Sequence, residues 1–195
     1  TWGYWNYTTS TDWYAPDMTE LNNVVSVTCN HAAFVALRLD GTLYGWGSRN
    51  YGALLERYDH GNNNTYQTTN YTNVTKVYPS GHYAFIVLRE NQNIDYLGYG
   101  YPYGGYNIPS INSNNVIDIK YTHVGQALLD NTGDVRAWPT NYPEYGGHVG
   151  HGTYGTRGKS VQDGRVIRIE SFGYRSFAAY KDTGECVVWG SINYN

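Results

Sequence analysis

Three histidines, His31, His82 and His123, stand two residues before a small residue (Ala33, Ala84 and Gly125) in three similar stretches of the chain, and Tyr174 stands two before Ser176 in a fourth. Imidazoles grouped by a repeating scaffold can hold a metal or titrate near neutral pH. No Asp or Glu recurs beside them, so the expectation is a ligand-facing or packing role without a metal. Ser26, His31 and Asp40 are close in sequence, but a catalytic triad is a geometric object and no nucleophile-elbow motif is present. The stretch Gly152-Thr153-Tyr154-Gly155-Thr156-Arg157-Gly158-Lys159-Ser160 invites comparison with a phosphate loop. It has Thr153 where that loop needs Gly, and the strand-like Val166-Ile167-Arg168-Ile169 follows where a helix is required. Asp12, Asp17 and Glu20 have no recurring carboxylate partner. The residues therefore point to no catalytic group, no cofactor and no metal site.

The second set of chemically capable residues is aromatic. Trp5, Tyr7, Tyr51, Tyr99, Tyr101, Tyr103, Tyr142 and Tyr145 lie in loop-like stretches of varying length. Tyr and Trp dominate binding hot spots, and variable loops on a rigid scaffold are where binding usually resides. The ordinary alternative is that such rings seal neighbouring units against one another. Sequons occur at Asn6, Asn63, Asn70 and Asn73, candidates for glycosylation.

These residues are positioned by a pattern that recurs four times. The first copy reads Val24-Val25-Ser26-Val27-Thr28-Cys29, Phe34-Val35-Ala36-Leu37, Asp40-Gly41 and Leu43-Tyr44-Gly45-Trp46-Gly47. Later copies begin at Val74, Val116 and Val166, and their closing positions are Leu97, Trp138 and Trp189. Trp2-Gly3 reads as the closing pair of a preceding copy. Closing positions thus recur every 41 to 51 residues, a period of solenoids and propellers. Each copy reads as strands joined by a turn with Gly in the left-handed region, and no sustained helical period occurs. The fold expected is all-β, with four repeats at about 3–47, 48–98, 99–138 and 139–190 in one unit over residues 1–195. The segment from Leu55 to Thr72 reads as a long polar exposed loop. Cys29 and Cys186 occupy different places in the repeat and are expected to be buried free thiols.

The pattern resembles the RCC1-like repeats of the regulator-of-chromosome-condensation family. Asp40-Gly41-Thr42-Leu43-Tyr44-Gly45-Trp46-Gly47 matches the middle of that repeat closely, and Gly184-Glu185-Cys186-Val187-Val188-Trp189-Gly190 matches well. The second and third copies are degenerate, with Leu97 for Trp and Pro139 after Trp138. The family's His is replaced by Ala33, Ala84, Gly125 and Ser176, all small, which suits tight packing against a neighbour. The resemblance implies a β-propeller, commonly seven-bladed, so four repeats with both chain ends inside the motif suggest an incomplete portion of a larger ring. It also raises exchange activity on a small GTPase.

Composition narrows the function further. The 195 residues carry a net charge of −3 and only 15% charged residues, but 22 Tyr. This charge does not suit nucleic-acid binding, and no apolar run is long enough to span a membrane. The low Lys content and the sequons suit an extracellular, cell-surface or virion-surface setting, the alternative being cytoplasmic. The expectation is a non-catalytic protein-binding or structural propeller module, completed by a protein partner or by the remainder of the same polypeptide. The alternative is a carbohydrate-binding, adhesive surface module with a glycan partner.

Overall fold

A computed structural model describes residues 13–53, 55–59, 64–67, 71–81, 84–90, 94–99, 115–123, 125–138, 164–172 and 174–190. These residues form four antiparallel blades, each with a three-stranded core. The first contains β2 (Val24–Cys29), β3 (Ala33–Arg38) and β4 (Leu43–Ser48), with β1 (Trp13–Tyr14) paired outside β4. The second contains β7 (Val74–Ser80), β8 (Ala84–Arg89) and β9 (Ile94–Tyr99), with the hairpin β5 (Glu56–Asp59) and β6 (Asn64–Gln67) outside it. The third is β10 (Val116–Tyr121), β11 (Gln126–Asp130) and β12 (Val135–Trp138); the fourth is β13 (Val166–Phe172), β14 (Ser176–Lys181) and β15 (Cys186–Gly190). A 3₁₀ turn spans Arg49–Tyr51.

The repeat is written into the backbone. The register slips at the same place in all four first strands, between Val24 and Ser26, Val74 and Lys76, Val116 and Asp118, and Val166 and Arg168. Such a bulge bends and twists its strand. Ahead of each first strand a carbonyl (Asn23, Asn73, Asn115 or Arg165) accepts the amide of Leu39, Glu90, Asn131 or Asp182, just past the second strand. The turns Leu39-Asp40-Gly41, Asn131-Thr132-Gly133 and Asp182-Thr183-Gly184 close alike: each Gly amide donates to the last residue of the preceding strand at 3.0 Å. The aromatic-glycine closing pair has its own reason. Gly47 lies at φ +104°, and a Cβ there would stand 2.6 Å from the Ala32 carbonyl oxygen. That same oxygen accepts the Ser48 amide at 2.8 Å.

Strand pairing sorts each blade into two faces, and the core lies between them. One face points to the preceding blade: Val77, Phe85, Val87 and Leu97 in the second, Ile119, Leu128 and Trp138 in the third, and Ile169, Phe177, Ala179 and Trp189 in the fourth. All of these are buried. The other face receives the next blade: Val35, Leu37 and Leu43 in the first, Ile86, Leu88 and Tyr96 in the second, and Ala127, Leu129, Val135 and Ala137 in the third. Consecutive blades therefore pack like stacked plates, the apolar face of one against that of the next.

The junction between the second and third blades is also stitched by polar groups. Gln126 stands where the other blades have Phe34, Phe85 and Phe177, and its side-chain amide donates to Ser80 Oγ at 3.1 Å. Trp138 Nε1 donates to the Tyr96 hydroxyl at 2.7 Å, and the Tyr78 hydroxyl donates to the Ile117 carbonyl at 3.3 Å. Burial pushes the Tyr96 phenol up to about 12, against the opposing hydrogen bonds with Trp138 and Ser80.

Two expectations need correction. Cys29 and Cys186 are both exposed free thiols. Cys29 ends β2, whose outward face meets no blade among the described residues, and Cys186 opens β15 on the face of the fourth blade that likewise meets none of them. They sit at opposite ends of their strands, beside the first and second turns of the blade respectively, which places them on opposite rims. The Leu55 to Thr72 stretch is not simply a loop, because β5 and β6 pair with each other and β5 pairs in parallel with β9.

Two measurements test this packing. Replacing Trp189 by Ala should cost about 3–5 kcal/mol in urea unfolding of dilute protein, since it removes a fully buried ring. Trp46→Ala should cost markedly less, because Trp46 is only half-buried. Tyr96 stays protonated in the folded protein to about pH 12 but titrates near 10 when unfolded. Its contribution is full below pH 10 and is lost as pH rises from 10 towards 12. The stability of Tyr96→Phe, followed by denaturant unfolding across that window, should fall less steeply than that of wild type.

Candidate functional site

The turns between the first and second strands of the blades share one rim. In the first blade Asn30 fixes the turn: its Oδ1 accepts the amides of Ala32 (3.1 Å) and Ala33 (2.9 Å), while its Nδ2 donates to the Tyr51 carbonyl at 2.7 Å. In the third, Thr122 Oγ1 accepts the Gly125 amide at 3.0 Å. The family-like Gly, present as Gly81 with φ +61°, is thus replaced in these copies by side chains that satisfy the turn's donors. The small residues after the turns are buried, as tight packing demands: Ala33, Ala84 and Ser176, with Gly125 alongside.

The rim carries rings that touch across blades. His123 stacks on Tyr174 of the next blade, with centroids 4.2 Å apart and planes 20° apart. The His123 amide donates to the Tyr174 carbonyl at 3.1 Å, and the Arg175 guanidinium lies 5.5 Å from the Tyr174 ring centroid. Tyr174 is exposed. His31 is also exposed, its ring 6.0 Å from that of Tyr51. Burial raises the Tyr121 phenol at the end of β10. A partner's planar or carboxylate group would meet an imidazole, a phenol and a guanidinium here, a mixture that suits stacking and charge-assisted hydrogen bonds.

The sequence candidates divide as follows. His31, Tyr51 and His123 lie on this rim, and Tyr99 ends β9 with its backbone paired to Tyr58. Trp5, Tyr7, His82, Tyr101, Tyr103, Tyr142, Tyr145, Asn6, Asn63 and Asn70 lie outside the described residues. Asn73 is exposed at the entry to β7, with φ +58°. Ser26, His31 and Asp40 do not converge: β3 separates the His31 turn from the Asp40 turn by roughly 15–20 Å of strand. Among the described residues no group of His, Cys, Asp and Glu is arranged to hold a metal.

Sequence reasoning missed Arg175, which adjoins the aligned Tyr174 and could have been found by reading one residue further. It also missed the unmet blade faces. Val27 is 53% exposed, whereas its equivalents Val77, Ile119 and Ile169 are buried. At the other end Tyr180 and Val188 are 40% and 38% exposed, whereas their equivalents Leu129 and Ala137 are buried.

Comparison with solved structures identifies this arrangement. Yeast (Saccharomyces cerevisiae) Prp20p superposes with a TM-score of 0.58 at 12% identity, over 94% of this chain and 47% of Prp20p. Human WBSCR16 gives 0.56 at 19% identity, over 86% of this chain and 47% of that one. The ectodomain of the Physcomitrella patens receptor kinase CR4 gives 0.54 at 13% identity, over 86% and 40%. The fold is that of an RCC1-like β-propeller. The chain spans less than half the length of each of these three structures. No protein-family model and no curated protein matches its sequence. No helix among the described residues is long and apolar enough to cross a membrane.

The capped turn gives a direct test of the rim's rigidity. Asn30→Ala leaves two turn amides without their acceptor and should cost about 1–3 kcal/mol in urea unfolding. Thr122→Ala should cost less, since it removes the acceptor of one turn amide rather than two.

Proposed function

We propose that this chain is a non-catalytic, protein-binding portion of a larger propeller, displayed outside the cell or on a particle surface, and that it meets partners through the turn rim. The observation that carries the reading is the ladder of half-buried His123, exposed Tyr174 and half-buried Arg175, built from two blades. Among the compared proteins, Prp20p is described with binding properties to Gsp1p and histones. The slightly acidic net charge of the chain argues against a nucleic-acid partner. An acidic or aromatic protein segment fits its chemistry. The surface setting rests on the CR4 ectodomain likeness and on exposed Asn73 within the sequon Asn73-Val74-Thr75.

The test is affinity capture from extracellular and surface fractions with wild type and with the double variant His123→Ala, Tyr174→Ala. Both substitutions are at the rim, so the unfolding midpoint should move little while specific capture falls roughly tenfold or more, as expected when anchor rings are truncated. Equal capture by both proteins would refute the rim as the binding surface. Glycan-array binding by wild type, without protein capture, would favour the carbohydrate-binding alternative.

A further inference from the structure

Among the described residues, the first and fourth blades each present a face that meets no other blade, and the two faces are complementary by the repeat itself; Ala36 and Ala178 on them are already buried, and on the first the Asp17–Glu20 segment reaches Tyr44 and Arg38. On the first blade Val27, Phe34, Ala36 and Trp46 occupy the register positions of Ile169, Phe177, Ala179 and Trp189 on the fourth. Phe34 and Trp46 stack at 5.3 Å between centroids, and Phe177 and Trp189 do the same at 5.3 Å. The Phe177–Trp189 pair is buried against Ala127, Leu129, Val135 and Ala137 of the third blade. On the open side of the fourth blade, the positions equivalent to those four are Ala178, Tyr180, Cys186 and Val188. The chain therefore carries, at one end, the stacked pair that it buries internally. At the other end it carries a copy of the surface that receives such a pair.

We infer that two copies of this chain close head to tail, the Phe34–Trp46 face of each seated on the Ala178–Val188 face of the other. The inferred contact continues an interface that the chain already forms three times. One blade face, about 15 by 20 Å from strand spacing and rise, is at the small end for a stable interface. A closed pair buries two such faces per copy. The pairing is heterologous, so it gives a ring only if the rotation closes. The inference is independent of the rim reading, because none of these residues belongs to the ladder of His123, Tyr174 and Arg175.

Sedimentation equilibrium of the full chain should give twice the 22.0 kDa chain mass at concentrations of about 100 μM, dissociating on dilution. Trp46→Glu and Val188→Glu should each be monomeric, and an equimolar mixture should regain a weaker dimer through its one intact pair of faces. If like faces paired instead, each single variant would still dimerise through its unaltered face, which would overturn the head-to-tail arrangement. Peptide-resolved labelling of Cys186 supplies a readout that needs no folded Trp46 variant. Its rate in wild type should fall roughly tenfold as the dimer forms, in proportion to the free fraction, and should stay constant with concentration in Val188→Glu. A wild type that is monomeric at about 100 μM, or that grows into open polymers, would overturn closure.

Discussion

The structure depends on the burial of one blade face against the next. A three-stranded sheet of six-residue strands has two faces and too little area to bury either alone. Here each interior sheet is covered on both sides by its neighbours, and the apolar clusters of the molecule are these junctions. Everything local serves them. The shared bulge sets the twist of each first strand, the left-handed glycines close the turns without added bulk, and the small residue after each rim turn lets neighbouring backbones approach.

The junctions are alike in plan but not in chemistry. The first and third are lined by Phe85 with Leu97 and by Phe177 with Trp189, respectively. The middle one gives up a Phe for Gln126 and gains hydrogen bonds through Ser80, Tyr96 and Tyr78. A buried polar group costs free energy unless it is paired, so these bonds offset the loss of an apolar ring only in part, because the Gln126 Oε1 is buried without a hydrogen-bond partner among the described residues. Because consecutive blades are held this closely, equivalent rim turns come within ring-stacking distance, as His123 and Tyr174 do. The candidate binding ladder is thus a consequence of the packing.

Much of the fold was legible in the sequence because the repeat has a physical period. Val24, Val74, Val116 and Val166 marked the first strands, and Gly41, Gly133 and Gly184 marked the turns. Face assignment was less accessible. Strand alternation distinguishes two faces but does not say which one meets which neighbour, so the exposed Cys29 and Cys186 read as ordinary strand residues destined for burial. The β5–β6 hairpin was hidden by composition, since Asn64, Thr65 and Gln67 resemble loop residues and owe their strand form to pairing with β5. On the rim, the alignment of His31, His123 and Tyr174 was visible, but the contact between the last two needed the inter-blade geometry. The turn-capping roles of Asn30 and Thr122 were likewise concealed, because they do by hydrogen bonding what the repeat elsewhere does with Gly.

The most direct test of this stacking is hydroxyl-radical footprinting of individual tryptophans in dilute protein. Trp138 and Trp189 are buried at blade junctions, whereas Trp46, at the same repeat position, is half-buried on a face that no blade covers among the described residues. The stacked-blade account predicts rapid oxidation of Trp46 and strong protection of the other two. Oxidation of Trp138 and Trp189 at a rate comparable to that of Trp46 would contradict it.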